Sequence, residues 1–264
     1  MRPTFLKRSA LAVLGVLIAA TVSAQTQTRP GTFTPQVGQP GKDVVWVPTP
    51  QALVDTMLDM AKVTPQDLLM DLGSGDGRTV ISAAKRGVQA IGVEYNPDMV
   101  QLSRTAAKTE GVSERATFVQ GDLFKTDLSK ATVITMFLLP SINMQLRPIL
   151  LNLKPGTRVV SNTFDMEDWI PDEHRSIGPA GCQSWCTAML WIIPAKVGGT
   201  WKTPQGTLTL VQQFQVLSGT LGSTPITGKV TGEDVEFNAG SAKYSGRLNG
   251  DTIQGANWSA SRIN

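Results

Sequence analysis

The sequence predicts an α/β fold, a doubly wound and mostly parallel sheet followed by a small antiparallel β domain. Three observations predict it. From Thr49 to Ile193, short apolar strand-like runs alternate with segments of helical periodicity. One strand-to-helix junction, residues 68–78, is a glycine loop with Gly73, Gly75 and Gly77. From Gly198 onward the helical periodicity stops, and Gly, Thr and Ser rise around short alternating stretches such as 207–211, 235–237 and 252–253.

The chain opens with a targeting pattern. Arg2, Lys7 and Arg8 precede an apolar run at 10–20, and Val22-Ser23-Ala24 offers small residues for a cleavage site. This reads as a secretory signal peptide over 1–24, cut after Ala24, with export to the periplasm or beyond. An uncleaved anchor is the second reading, but the run is shorter than the roughly 20 residues a span needs. The formal charge of +3 comes from the three leader bases, so the mature chain is balanced. With no basic stripe interleaved with aromatics, no nucleic-acid partner is expected. Residues 25–42 are rich in Gln, Thr, Pro and Gly without apolar periodicity, and read as a flexible linker.

The elements follow in order. Thr49 is placed to cap a helix opening at Pro50, with Leu53, Val54, Met57, Leu58 and Ala61 on one face. A strand at 68–71 ends in Asp71. A helix over about 77–86 buries Val80, Ile81 and Ala84. A second strand ends at Glu94, and Asn96 caps a helix from Pro97 whose stripe is Met99, Leu102, Ser103 and Ala106. A third strand covers 116–120. The continuous apolar run 131–137 suits a strand buried on both faces. A helix over about 142–153, a strand at 158–161 and a longer strand at 185–193 complete the sheet. His174 falls in a polar stretch and reads as a surface loop residue. The domain after Gly198 reads as a β meander or half-barrel, with Trp201 and Trp258 in its core and no identifiable partner.

The chemistry concentrates at the strand ends. Asp71 stands two residues before Gly73, Glu94 ends the next strand, and Asp122 follows the third. Glycines let a ligand lie against bare backbone, and the helix beyond presents free amides. The spacing G-x-G-x-G differs from the dinucleotide pattern G-x-G-x-x-G, where Arg78 now stands. This loop resembles motif I of class I S-adenosylmethionine methyltransferases, whose fold is a Rossmann-like doubly wound sheet. In that setting Glu94 can accept from ribose hydroxyls and Asp122 from the adenine amino group. Residues 46–171 are further similar to the archaeal broad-specificity protein-lysine methyltransferases and their mitochondrial relatives, which act on the ATP-synthase c-ring protein and on adenine nucleotide translocase. The residues carrying this are Val47-Pro-Thr-Pro50, Asp71-Leu-Gly-Ser-Gly-Asp-Gly-Arg78, Gly92-Val-Glu94 with Asn96, Asp122-Leu-Phe124, Phe137-Leu-Leu-Pro140, and Leu153-Lys-Pro-Gly-Thr-Arg-Val-Val-Ser161.

The resemblance implies a methyltransferase domain over 43–197, a β domain over 198–264, and S-adenosylmethionine as cofactor. It implies that Asp71, Gly73 and Gly75 hold the methionine part, that Thr49 closes over the cofactor, and that Phe137, Leu138 and Pro140 border an acceptor channel for a protein lysine. A binding protein that holds the cofactor or a nucleoside without turnover, and a methyltransferase acting on a small molecule or lipid, remain as alternatives. No metal ligand set is expected: Cys182 and Cys186 are the only cysteines, and a lone pair spaced by four is not a zinc site. They form a local disulfide or remain two thiols; export allows the former.

Overall fold

In a computed structural model the chain is described over residues 33–263, so the leader and the first part of the linker lie outside the described residues. The α/β part contains helices α1 (Gln51–Met60), α2 (Arg78–Lys85), α3 (Pro97–Thr109) and α4 (Pro140–Leu150). Its strands are β1 (Leu68–Leu72), β2 (Gln89–Glu94), β3 (Ala116–Gln120), β4 (Val133–Met136), β5 (Arg158–Asn162), β6 (Glu173–Ser176) and β7 (Thr187–Ile192). They form one sheet in the order β3-β2-β1-β4-β5-β7-β6. β1 to β5 pair in parallel, whereas β7 runs antiparallel to both β5 and β6.

Alternate residues of each strand feed two cores. Leu69, Val133, Val160 and Leu190 pack with Leu53, Leu58, Val80 and Val100 of α1, α2 and α3. Met70, Ile134, Val159 and Trp191 pack with Ile142, Leu146 and Leu150 of α4. Both faces are covered, which is why β4 is buried at every position and reads as an unbroken apolar run. The strand order reverses between β1 and β4, so the loops leaving their C-terminal ends diverge and open a crevice.

Four local expectations change. Thr49 does not cap α1: the N-cap is Pro50, and the Thr49 hydroxyl instead accepts from Asn162 Nδ2 at 3.2 Å. The buried stripe of α3 is Met99, Val100, Ser103 and Ala107, so Leu102 and Ala106 lie at its margin. α4 starts at Pro140 and contains Pro148. His174 is exposed, but on strand β6 rather than in a loop. The sequence Glu-His-Arg-Ser of β6 has no apolar alternation because an edge strand facing water needs none.

The segment after Gly198 is more closed than a meander or half-barrel. Strands β8 (Gly199–Thr203), β9 (Gly206–Gln213), β10 (Val216–Leu221), β11 (Thr224–Thr231), β12 (Asp234–Ala239), β13 (Ala242–Asn249), β14 (Thr252–Gly255) and β15 (Ser259–Arg262) form a closed antiparallel barrel. Closure comes from β15 pairing with β8 through Ser261 with Lys202 and Arg262 with Trp201. Inward residues alternate along each strand, as at Val235, Phe237 and Ala239, and they meet around the fully buried Trp201. Trp258 packs against this core, with its ring edge-on to Phe237 and Tyr244.

The barrel is joined to the sheet by polar ties beside a stacked aromatic pair. Buried Trp169 donates from Nε1 to Gln215 Oε1 at 2.9 Å, and Gln215 Nε2 returns a bond to the Ile170 carbonyl at 2.7 Å. The Trp169 ring stacks on Phe214 at 5.7 Å. Lys229 on β11 pairs with Asp172 at 2.9 Å. Replacing Gln215 by Leu strands the buried Trp169 indole N–H and removes the bond to the Ile170 carbonyl. It should lower unfolding free energy by about 1–3 kcal/mol, read from urea unfolding followed by tryptophan fluorescence.

Candidate cofactor and acceptor site

The loop after β1 is built on left-handed backbone. Gly73, Gly75 and Gly77 have φ of 74°, 54° and 80°. A Cβ on Gly77 would lie 2.7 Å from the Phe118 ring and 2.8 Å from Ser103 Cβ, and one on Gly75 would lie 2.7 Å from Trp46 Nε1. The amides of Gly73 and Ser74 donate to the Val93 carbonyl at 2.9 and 3.1 Å, which sets the loop against the end of β2. Side chains larger than hydrogen are thus excluded by both torsion and space.

Three carboxylates converge here. Asp71 is only 7% exposed and accepts from Thr135 Oγ1 at 2.7 Å. Burial pushes its carboxyl up to about 7; the Thr135 bond opposes this, and the nearby charges of Asp76 and Glu94 add to it. Glu94 accepts from the Gly75 amide through Oε2 and from the Asn96 amide through Oε1, each at 2.9 Å. Asp122 accepts from the Phe124 amide at 3.0 Å and from Lys42 Nζ at 2.9 Å. The bond from Lys42, then that from Phe124, holds the Asp122 carboxyl below the usual carboxylate range.

These groups line one cavity of about 480 Å³, within the usual size for a small-molecule site. Thr49, Asp71, Gly73, Glu94, Asp122, Phe137 and Leu138 all face it. Two expected residues do not. Gly75 lies behind the wall, where its amide orients Glu94 and its bare Cα admits the Trp46 ring. Pro140 is exposed as the first residue of α4 and lies outside the cavity.

Other lining residues had no site role assigned from the sequence. Residues 39–47, the first four of which have the composition of a linker, fold over the cavity as a strap. Pro40 bridges Val45, the Trp46 amide donates to the Gln39 carbonyl at 2.9 Å, and the Trp46 carbonyl accepts from the Gly38 amide at 2.8 Å. Lys42 pins the strap to Asp122 and lies over the Tyr95 ring at 5.0 Å. Arg78 pins its other end, donating to the Thr49 carbonyl at 2.9 Å while paired with Asp76. Across the cavity, Phe137, Phe164 and Trp185 form an aromatic wall. Phe164 lies in a segment with no periodicity, and Trp185 precedes β7 rather than belonging to it.

The arrangement suits a ligand with hydroxyl and amino donors at one end and positive charge in the middle. Asp71 is buried with a neutral hydroxyl as its hydrogen-bond donor, so a cation beside it would relieve its burial. S-adenosylmethionine has these features, and the glycine loop leaves bare backbone for its close approach. Residues 71–173 match the model of the ANTKMT methyltransferase domain family. The chain is 47% identical over 133 residues to a protein-lysine N-methyltransferase of Saccharolobus islandicus, spanning 49% of this chain and 83% of that protein. It is 37% identical to the Xenopus laevis lysine N-methyltransferase named for the C subunit of ATP synthase, over 48% of this chain but only 56% of that protein. A solved structure described as an RNA methyltransferase from Salinibacter ruber, in complex with S-adenosyl-L-homocysteine, aligns with 49% identity and a TM-score of 0.52, covering 57% of this chain and 96% of that one.

The raised Asp71 carboxyl predicts how the ligand-free protein responds to pH. Between the ordinary carboxylate value of 3.8 and about 7, the folded state holds a proton that the unfolded state has lost. Stability should therefore fall as pH rises through this window and level off above it, by roughly 4 kcal/mol at most for a shift this large. Asp71→Asn should flatten that part of the profile, measured by denaturant unfolding from pH 4 to 8.

Proposed function

We propose that this chain, which belongs to the ANTKMT methyltransferase family, transfers the methyl group of S-adenosylmethionine to the ε-amino group of a protein lysine. The carrying observation is that Asp71, Glu94 and Asp122 share one cavity with Phe137, Leu138 and the other apolar residues at its far end. Bound S-adenosylmethionine supplies an electrophilic methyl on a sulfonium. Glu94 is oriented by two amides to accept from vicinal hydroxyls, Asp122 stands at the adenine end, and Asp71 offers charge to the methionine end. Phe137 and Leu138 exclude water from the acceptor. A lysine ammonium moved into such surroundings loses its proton more readily, so alignment rather than a general base carries the rate. The Saccharolobus and Xenopus relatives are lysine methyltransferases, and the balanced charge of residues 25–264 suits a protein acceptor better than RNA. The Salinibacter protein, described as an RNA methyltransferase, motivates the RNA alternative, which identification of the labelled product separates.

The leader pattern supports export and a periplasmic site of action. The Cys182–Cys186 disulfide, with Cα atoms 5.6 Å apart, fits an oxidising compartment. The acceptor is then an envelope protein, or a protein met before export where the cofactor is made. Among the described residues no helix is long and apolar enough to cross a membrane.

Glu94→Ala should weaken S-adenosylmethionine binding by about 1–3 kcal/mol, because two ribose hydroxyls lose a charged acceptor; calorimetry on the protein from residue 25 measures it. Unchanged affinity would contradict the assignment of Glu94. In a second test, labelled cofactor is incubated with envelope extract. Label should enter protein, resist ribonuclease and appear on lysine after hydrolysis. Label in RNA, in lipid or nowhere would overturn the lysine reading. N-terminal sequencing of the protein from the envelope fraction should begin at Gln25.

A further inference from the structure

We infer that Phe137, Phe164 and Trp185 form an aromatic box that selects a cationic acceptor nitrogen, and that the Cys182–Cys186 disulfide positions Trp185 as its outer wall. This rests on the lysine reading above. Phe137 lies 6.1 Å from Phe164 at an interplanar angle of 21°, and 6.1 Å from Trp185 at 57°. All three rings line the cavity. Phe137 and Phe164 thus stack as one side and Trp185 is tilted against Phe137 as the other, and an ammonium or methylammonium within about 6 Å of a ring centroid is attracted by its quadrupole.

Two walls are fixed from within the fold. Phe137 follows β4 directly. Phe164 is held by its carbonyl, which accepts from buried Asn143 Nδ2 at 3.0 Å and from Ser161 Oγ at 2.6 Å. The third wall is held covalently. Trp185 is 45% exposed and its backbone has φ 55°, a conformation bulky residues seldom adopt. A disulfide between Cys182 and Cys186 closes the short loop around it. Cys182 is buried, and Gly181 beside it lies against Ala52 of α1, where a Cβ would stand 3.2 Å from the alanine methyl. Cross-link, strained backbone and packed anchor together hold one half-exposed indole at the cavity mouth. Such strain persists where the surroundings over-determine it, and it collects at sites of function. The box holds the charged side chain at the mouth; its proton passes to water before the nitrogen advances to the reacting centre.

The test uses the protein from residue 25 loaded with S-adenosylhomocysteine. Its probes are a pentapeptide bearing Nε-trimethyllysine and the same peptide with a neutral tert-butyl isostere. Calorimetry should show the cationic peptide binding about tenfold more tightly. That preference should persist in Trp185→Phe and largely vanish in Trp185→Ala and in Cys182→Ser combined with Cys186→Ser. S-adenosylhomocysteine affinity, unchanged in every variant, verifies that each is folded. Equal binding of the two peptides by the unaltered protein, no binding of the cationic peptide, or an intact preference in Trp185→Ala would overturn the box. Label found on lysine alongside any of those results would sink only the box, whereas label found on RNA would sink the function it rests on.

Discussion

Close approach at the glycine loop is the constraint on which the rest depends. Phe118 from β3 and Ser103 from α3 occupy the space that a side chain on Gly77 would need. The same Phe118 ring and the Ser74 side chain stand at 2.7 and 2.6 Å from where a Cβ on Gly92 would be. Ser103 Oγ also donates to the Gly75 carbonyl at 3.0 Å. Loop, second strand, third strand and third helix are therefore packed through one point, and the positions of Glu94 and Asp122 follow from it. Trp46 rests on Gly75, so the strap is registered against the loop that orients Glu94.

That packing places Asp71 in a poorly solvated crevice. Burial raises its carboxyl, and the charges of Asp76 and Glu94 nearby add to the effect. Arg78 offsets Asp76 and Lys42 offsets Asp122, and both cations belong to contacts with the strap. The strap thus covers the cavity and also neutralises its rim. Asp71 is left to a hydroxyl. A fold indifferent to ligand would gain by replacing it with an apolar residue, so its presence indicates a site shaped around a positive group.

Much of this was readable in the chain, and the limits have physical causes. The strand-end acids and glycines were legible because ligand binding fixes their spacing along a parallel sheet, and the apolar runs because strands covered on both faces need no polar positions. Barrel closure was not legible: β15 meets β8 across the length of the domain, and strand count and stagger, not alternation, decide whether a sheet closes. β6 had no signature because its exposed edge carries polar residues. The strap was hidden by its Pro, Gly and Gln content, since its order comes from a few long-range ties to Asp122, Gly75 and Arg78. Thr49 has the local preference of a cap, and a distant bond from Asn162 overrides it. Phe164 has no periodic context, and Trp185 read as the first residue of a strand that in fact starts at Thr187; only the third dimension brings them to Phe137.

The segment between β5 and β6 shows where the barrel bears on this site. Phe164 at its start faces the cavity, Met166 and Trp169 in its middle are buried against α4 and β7, and Ile170 and Asp172 at its end are tied to the barrel by Gln215 and Lys229. Arg147 of α4 reaches the same segment, donating to the Met166 carbonyl at 3.0 Å, pairing with Asp168, and lying over the Phe214 ring. The segment that brings Phe164 to the cavity is therefore clamped along its length by barrel residues on one side and α4 on the other. The cofactor loop, by contrast, takes its support from α3, β3 and the strap. The two walls still meet at the end of β4, where Leu138 lies against Gly73 and Thr135 donates to Asp71 at 2.7 Å, but the barrel's ties run to the Phe164 segment rather than to the glycine loop. Under the function proposed above, a domain tied to that segment stiffens the wall that Phe164 contributes.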